Sequence, residues 1–229
     1  MENTHYDLIV IGSGPAGEQG AVQAAAFGKR VALIEKESHL GGAAANTGTL
    51  PSKTLRETAL YLSGFRQRGL YGIEANLREQ ATVQDFLRRE RAVKETERRR
   101  IGANLHAYDI TVFKGAASFT DPHTVRVDTD GGTLTADHFL IATGSRPFRP
   151  EPYPFEDACV YDSDEILSLE RIPESLIVVG AGVIGCEYAC IFAALGTRVT
   201  LLEARPQLLA FLDDEMVAVL QNRMEHLGV

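Results

Sequence analysis

At 229 residues, with 45% hydrophobic and 24% charged residues, the chain has room for one large domain or two small ones and the balance of an ordinary globular protein. A net charge of −8, with Arg98-Arg99-Arg100 the one basic run, argues against nucleic acid as a partner, and no apolar run approaches the roughly twenty residues that span a bilayer. Five residues before Tyr6 leave no room for a leader, and three cysteines without zinc-type spacing suit a reducing compartment, so a cytoplasmic protein is expected.

The first strong pattern runs from Asp7 to Glu35. The apolar run Leu8–Ile11 ends in Gly12-Ser13-Gly14-Pro15-Ala16-Gly17, an Ala-rich helical pattern follows, and a second apolar run, Val31–Ile34, ends in Glu35. Strand, tight turn, helix, strand and terminal acid form the dinucleotide-binding βαβ pattern. Gly12 allows the sharp turn, Gly14 lets backbone amides approach a pyrophosphate, and Gly17 lets helix and strand pack closely. The helix N-terminus supplies partial positive charge, and Glu35 can accept from a ribose diol. These turn residues, Glu35 and the adjoining Lys36 are the expected cofactor contacts.

A polar loop then leads to Gly41-Gly42, and Pro51-Ser52-Lys53 opens a helical pattern that places Lys53 in a first turn. The helix dipole opposes a cation there. Either Lys53 has an anionic or electron-rich partner, or it is a solvated surface lysine.

The segment Gly41-Gly42-x-x-x-Asn46-x-Gly48-x-x-Pro51-Ser52-Lys53 resembles the active-site segment of the flavin-dependent pyridine nucleotide-disulfide oxidoreductases. That resemblance implies two redox cysteines in this segment, where the chain has Ala44 and Thr49. Thiol–disulfide exchange cannot occur without sulfur. A disulfide reductase is therefore disfavoured.

Thr82 to about Leu105 reads as a long solvated helix, with Thr82 and Asp85 as its N-terminal cap and an exposed charge run along Arg88–Arg100. Four short runs follow: Ile110–Phe113, Ala116–Phe119, Thr124–Val127 and Thr133–Thr135. Asp121-Pro122 and Asp130-Gly131-Gly132 punctuate them, and they read as a small antiparallel meander. The resemblance places Gly115 and Ala116 beside the flavin's adenine. It also makes Thr143-Gly144, in the run His138–Pro147, a second flavin contact. The proline-rich stretch Pro147–Pro154 reads as a linker.

A second fingerprint follows. Leu176–Val179 leads into Gly180-Ala181-Gly182-Val183-Ile184-Gly185, a helical pattern, and Arg198–Leu202 ending in Glu203. Seventeen residues separate the last glycine from the acid in both units, and Gly196 matches Gly28 before the second strand. Two bound dinucleotides are implied. Cys186 and Cys190 share a helix face and read as small buried fillers behind the turn. Glu187 is expected in the helix's first turn, where a negative charge is favourable in itself. The resemblance gives it a further role, as partner of Lys53 beside the flavin ring. Lys53 would then stabilise the reduced flavin, with Glu187 holding it in place.

The resemblance implies an α/β protein: an FAD-binding Rossmann-like domain with a small antiparallel meander (1–148), a linker (149–172) and a Rossmann-like NAD(P)-binding unit (173–229). Asp213–Leu227 reads as a helix and Gly228-Val229 stop where the next parallel strand is expected, so this second domain reads as truncated. Gly48–Lys53, Tyr161–Asp164, Gly182–Ala189 and Leu208–Asp213 are most like the branch that passes hydride between NADPH and NAD through bound FAD, a homo-oligomer when full-length; Thr49 matches that branch, whereas Ala44 departs from it. A diaphorase-like NADH:acceptor flavoprotein and a non-catalytic FAD-binding module are the alternatives. Glu203 favours a free ribose 2′-hydroxyl and hence NAD(H), whereas a carrier between the two pools must also accept NADP(H); Arg205 is placed to offset the repulsion.

Overall fold

The computed structural model describes residues 5–67, 82–129 and 132–229. These fall into two compact units, one from Met1–Pro51 and Ala92–Pro154 and the other from Ser52–Arg91 and Phe155–Val229.

The first unit is built on β1 (His5–Ile11), α1 (Pro15–Ala26) and β2 (Val31–Glu35), with β1 and β2 parallel. All five residues of β2 are buried, because both of its faces are covered. Val31 and Leu33 pack with Val10, Ala21, Ile101 and Leu105, while Ala32 and Ile34 pack with Tyr6, Ile9 and Val125. That explains a continuous apolar run instead of an alternating one. A short helix, α2 (Gly42–Asn46), follows, and α3 (Thr49–Gln67) starts two residues before Pro51.

Helix α4 (Val83–Ala107) begins in the expected cap: the Thr82 hydroxyl accepts from the Asp85 amide, and the Asp85 carboxylate accepts from the Thr82 amide and hydroxyl. The helix is less solvated than its charge run predicts. Phe86, Leu87, Glu90, Ile101 and Leu105 are buried.

The strands beyond it divide differently from the expected meander. β3 (Thr111–Lys114) pairs parallel with β2, and only β4 (Ala117–Asp121), β5 (Thr124–Val127) and the start of β6 (Thr133–Ile141) are antiparallel. β6 is one strand with two partners: Thr135 pairs with Thr124 of β5 and with His5 of β1, and the strand then runs parallel to β1 as far as Ile141. The sheet order is β3-β2-β1-β6-β5-β4. Residues 130 and 131 of the expected Asp130-Gly131-Gly132 turn lie outside the described residues.

The second unit pairs β7 (Ser175–Val179) parallel with β8 (Arg198–Leu202) through α5 (Val183–Ala194), and α6 (Asp214–Leu227) follows. Its core draws on distant sequence. Leu55 and Ala59 of α3 and Val83, Phe86 and Leu87 of α4 join Ala189, Ile191 and Phe192 of α5 and Val217 and Met224 of α6. Packing thus divides the chain within α3 and α4, whereas the boundaries 1–148, 149–172 and 173–229 follow the nucleotide expected in each segment. Among the described residues no helix is long and apolar enough to cross a membrane.

Candidate functional site

In the first unit the chain turns at Gly12, whose φ of +102° is in the left-handed region that favours glycine. A Cβ on Gly12 would lie 2.3 Å from the carbonyl oxygen of Ala142, and one on Gly17 would lie 1.9 Å from the carbonyl oxygen of Gly12. Neither distance can be met by real atoms. Helix α1 starts at Gly14 with no side-chain cap, Pro15 has no N–H to offer, and Pro15 and Ala16 are exposed. The contrast is α6, where the Asp213 carboxylate accepts from the Glu215 amide.

Glu35, 5% exposed, is oriented by three donors. The Ser13 amide (2.9 Å) and hydroxyl both donate to Oε2, and the Glu37 amide donates to Oε1 at 2.8 Å. Ser13, fully buried, also accepts from the Gly41 amide at 3.0 Å, which fastens the second glycine pair to the turn. A Cβ on Gly42 would stand 2.9 Å from Cα of Gly14, so these two glycine stretches form a cradle that side chains would fill. The Gly115 amide donates to the Glu35 carbonyl, Ala116 is held by the Asp128 carboxylate, and Thr143-Gly144 follows Ala142, whose amide donates to Ile11. Gly12–Gly17, Glu35, Gly41, Gly42, Gly115, Ala116, Thr143 and Gly144 therefore gather around the C-terminal ends of β1, β2, β3 and β6. Lys36 is exposed and ion-paired with Glu37.

The second unit repeats the geometry. Gly180 has φ +98°, a Cβ on Gly185 would lie 1.9 Å from the Gly180 carbonyl oxygen, and α5 starts at Gly182 without a side-chain cap. Val183 and Ile184 are exposed, as Pro15 and Ala16 are. The Ala181 amide donates to Glu203 Oε2 at 2.8 Å and the Arg205 amide to Oε1 at 3.0 Å. The Arg205 guanidinium adds Nε to Oε1 at 3.1 Å and Nη2 to Oε2 at 3.4 Å. These hydrogen bonds, the side-chain one foremost, hold the Glu203 carboxyl down to about 2.

Lys53 and Glu187 both belong to this unit, and they meet. Lys53 Nζ lies 2.8 Å and 2.9 Å from the two Glu187 oxygens, and Ser52 Oγ donates to Oε2 at 3.2 Å while accepting from Nζ at 3.4 Å. Glu187 is 16% exposed and Lys53 56%. Each is the fifth residue of its helix, one place beyond the expected first turn, because α3 starts before Pro51 and α5 starts before Gly185. The cation is thus moved off the positive helix end and given a carboxylate. Ser52, a member of the Pro-Ser-Lys motif, is the site residue that sequence reading left without a role.

Sequence reading also missed a clamp in the first unit. Glu18, 3% exposed in the first turn of α1, accepts both ends of the Arg100 guanidinium at 2.9 and 3.0 Å and the Asn104 amide at 2.8 Å. Glu97 also pairs with Arg100. Arg98 donates to Asn46 at 2.7 Å. The Arg98–Arg100 run is therefore partly structural. Burial pushes the Cys186 and Cys190 thiols up, as suits packing residues.

The family model described as pyridine nucleotide-disulphide oxidoreductase matches residues 6–229. A soluble pyridine nucleotide transhydrogenase of Mycobacterium bovis is 45% identical over 228 residues, covering 98% of this chain and 49% of its own length. One from Vibrio parahaemolyticus is 42% identical with the same coverage. The HOCl-induced flavoprotein disulfide reductase RclA of Escherichia coli superposes with a TM-score of 0.84 at 30% identity, over 98% of this chain and 48% of that one. The chain spans about half the length of the curated relatives it matches. With two glycine turns, each aimed at its strand-end acid, and a family match over nearly every residue, the chain belongs to the pyridine nucleotide-disulphide oxidoreductase family.

Proposed function

We propose that this chain is the nucleotide-binding part of a flavin-dependent transhydrogenase that moves hydride between NADPH and NAD. One observation carries the reading. Ser13 and Ala181 each turn their amide onto the acid that ends the next strand, at 2.9 and 2.8 Å, so one chain contains two dinucleotide sites of the same construction. The names of the relatives support it, and Ala44 and Thr49 leave no sulfur for the disulfide chemistry of other branches.

In this reading FAD belongs to the first unit and NAD(H) or NADP(H) to the second, in the cytoplasm. The Gly12–Gly17 turn and the uncapped start of α1 take the FAD diphosphate, and Glu35, whose Oε1 accepts from the Glu37 amide, takes a ribose hydroxyl. The glycine cradle fits this role, because side chains at Gly14 and Gly42 would occupy the approach. Gly180–Gly185 and Glu203 do the same for the nicotinamide dinucleotide. FAD, when bound, supplies a ring that accepts hydride from a reduced nicotinamide and returns it to an oxidised one. The family resemblance gives Lys53 the role of supplying positive charge for the electron-rich reduced state; within the second unit Glu187 and Ser52 fix its position.

The test is spectroscopic. The purified chain should carry a flavin absorbance that bleaches with NADPH and recovers on adding NAD. Lys53→Met should slow bleaching by on the order of a hundredfold while flavin stays bound. A flavin-free protein, or bleaching at the same rate in the variant, would overturn the reading. A diaphorase-like NADH oxidation is favoured by Glu203 alone; it predicts bleaching by NADH without NADPH-to-NAD transfer.

A further inference from the structure

We propose that Arg205 is a two-position specificity switch: resting on Glu203 it closes that carboxylate to a ribose diol, and turned outward it receives a 2′-phosphate, so that one site serves both NAD(H) and NADP(H). The inference rests on the reading of the second unit as the nicotinamide-dinucleotide site, and it resolves the conflict between a strand-end acid and a carrier that must accept a phosphorylated ribose.

A carboxylate offers about four lone-pair positions. At Glu203 all four are taken: Ala181 N and Arg205 Nη2 on Oε2, Arg205 N and Arg205 Nε on Oε1. Two of these donors are backbone amides fixed by the turn and by the end of β8. The other two belong to a side chain that is 60% exposed and whose guanidinium hydrogen bonds go to Glu203. Only these two can leave without disturbing the fold. A diol must therefore displace the guanidinium to reach the carboxylate. A 2′-phosphate needs no acceptor, and the same guanidinium offers it the planar fork that suits phosphate oxygens.

The first unit is an internal control. There the residue two places after the acid is Glu37, which donates its amide to Glu35 just as Arg205 does to Glu203 but has a carboxylate for a side chain. A 2′-phosphate would meet two acids there, with Lys36 paired to one of them. That arrangement suits an adenosine without a 2′-phosphate. The second unit has an arginine in place of Glu37 and no lysine before it, Arg205 following Ala204.

The experiment titrates the 15N-labelled chain with 5′-AMP and with adenosine 2′,5′-bisphosphate, following the amide resonances of Ala181 and Arg205, which report the second unit separately from Ser13 in the first. In Arg205→Ala, read at Ala181, affinity for the bisphosphate should fall about tenfold or more while 5′-AMP binds as well or better. Arg205→Lys should keep part of the bisphosphate preference, and Glu203→Gln should weaken 5′-AMP and spare the bisphosphate. Equal changes for both ligands in Arg205→Ala, with 5′-AMP still shifting Ala181, overturn the switch alone. No shift of Ala181 with either ligand in the unaltered chain overturns the nucleotide reading and the switch with it.

Discussion

Ser13 and Ala181 hold the same place in their turns and donate the same amide to the same kind of acid, but their surroundings differ. Ser13 adds a hydroxyl that grips Glu35 and takes the Gly41 amide, and Gly12 is pressed against Ala142 of the neighbouring β6 segment. Around Gly180 and Gly182 an added Cβ would meet nothing within 4 Å. Among the described residues the first turn is locked by Gly41 and Ala142 beyond its acid, whereas the second, fastened through the Ala181 carbonyl to the Leu209 amide, is open around Gly180 and Gly182. In the proposed reading the first turn holds its nucleotide through many turnovers, and the second takes one that enters and leaves.

The largest test of that contrast is Gly17→Ala against Gly185→Ala. Each new methyl would collide with a carbonyl oxygen 1.9 Å away. In the first unit that carbonyl belongs to Gly12, beside which Ala142 leaves no space for a Cβ; in the second it belongs to Gly180, beside which a Cβ would meet nothing within 4 Å among the described residues. Gly17→Ala should cost about 3 kcal/mol and Gly185→Ala about 2 kcal/mol. The former should lower the circular-dichroism melting temperature by roughly 6–12 °C. A larger loss in Gly185→Ala would show that the open turn is the more constrained one.

A second comparison sets the two helix acids against each other. Glu18 is buried and held by Arg100 and Asn104. Removing Arg100 leaves a carboxylate with half its partners, at a cost of about 2 kcal/mol, below the usual range for a broken buried pair because Arg100 is 48% exposed. Lys53→Met removes the partner of a less buried acid that keeps Ser52, and should cost under about 1 kcal/mol. Denaturant unfolding of the two variants distinguishes a clamp from a functional pair. Equal losses would erase the distinction.

Much of this was legible in the residues. The turns, the acids, the second repeat, the Thr82–Asp85 cap and the Lys53–Glu187 partnership follow from spacing, glycine geometry and the Pro-Ser-Lys resemblance. Three things were not. The Arg88–Arg100 run has the alternating charge of a solvated face, and nothing local shows that Arg100 will find Glu18 more than eighty positions earlier, since such pairing is decided by how α4 packs. Likewise Leu55 and Val83 gave no sign that they would join the core of the second fingerprint. Helical periodicity states that a face is apolar but not which distant face it meets. The dual pairing of β6 was hidden for a similar reason: local sequence does not state which neighbours a strand meets, and those neighbours make one end antiparallel and the other parallel.

The smallest expected effect is a titration. The Glu203 carboxyl is held down to about 2 from an ordinary 4.5, chiefly by the Arg205 side chain and then by the Arg205 and Ala181 amides. Because the folded value is depressed, the stabilisation is fully present above pH 4.5 and is lost as pH falls toward about 2. Arg205→Ala removes the first cause and leaves the two amides, so the carbon resonance of the Glu203 carboxyl should titrate at a higher pH than in the unaltered chain, still below the ordinary value. If the Glu203 curve does not move in Arg205→Ala, the guanidinium does not rest on the carboxylate in solution, and the open turn holds its acid by backbone amides alone, without the side-chain hydroxyl that Ser13 adds in the locked one.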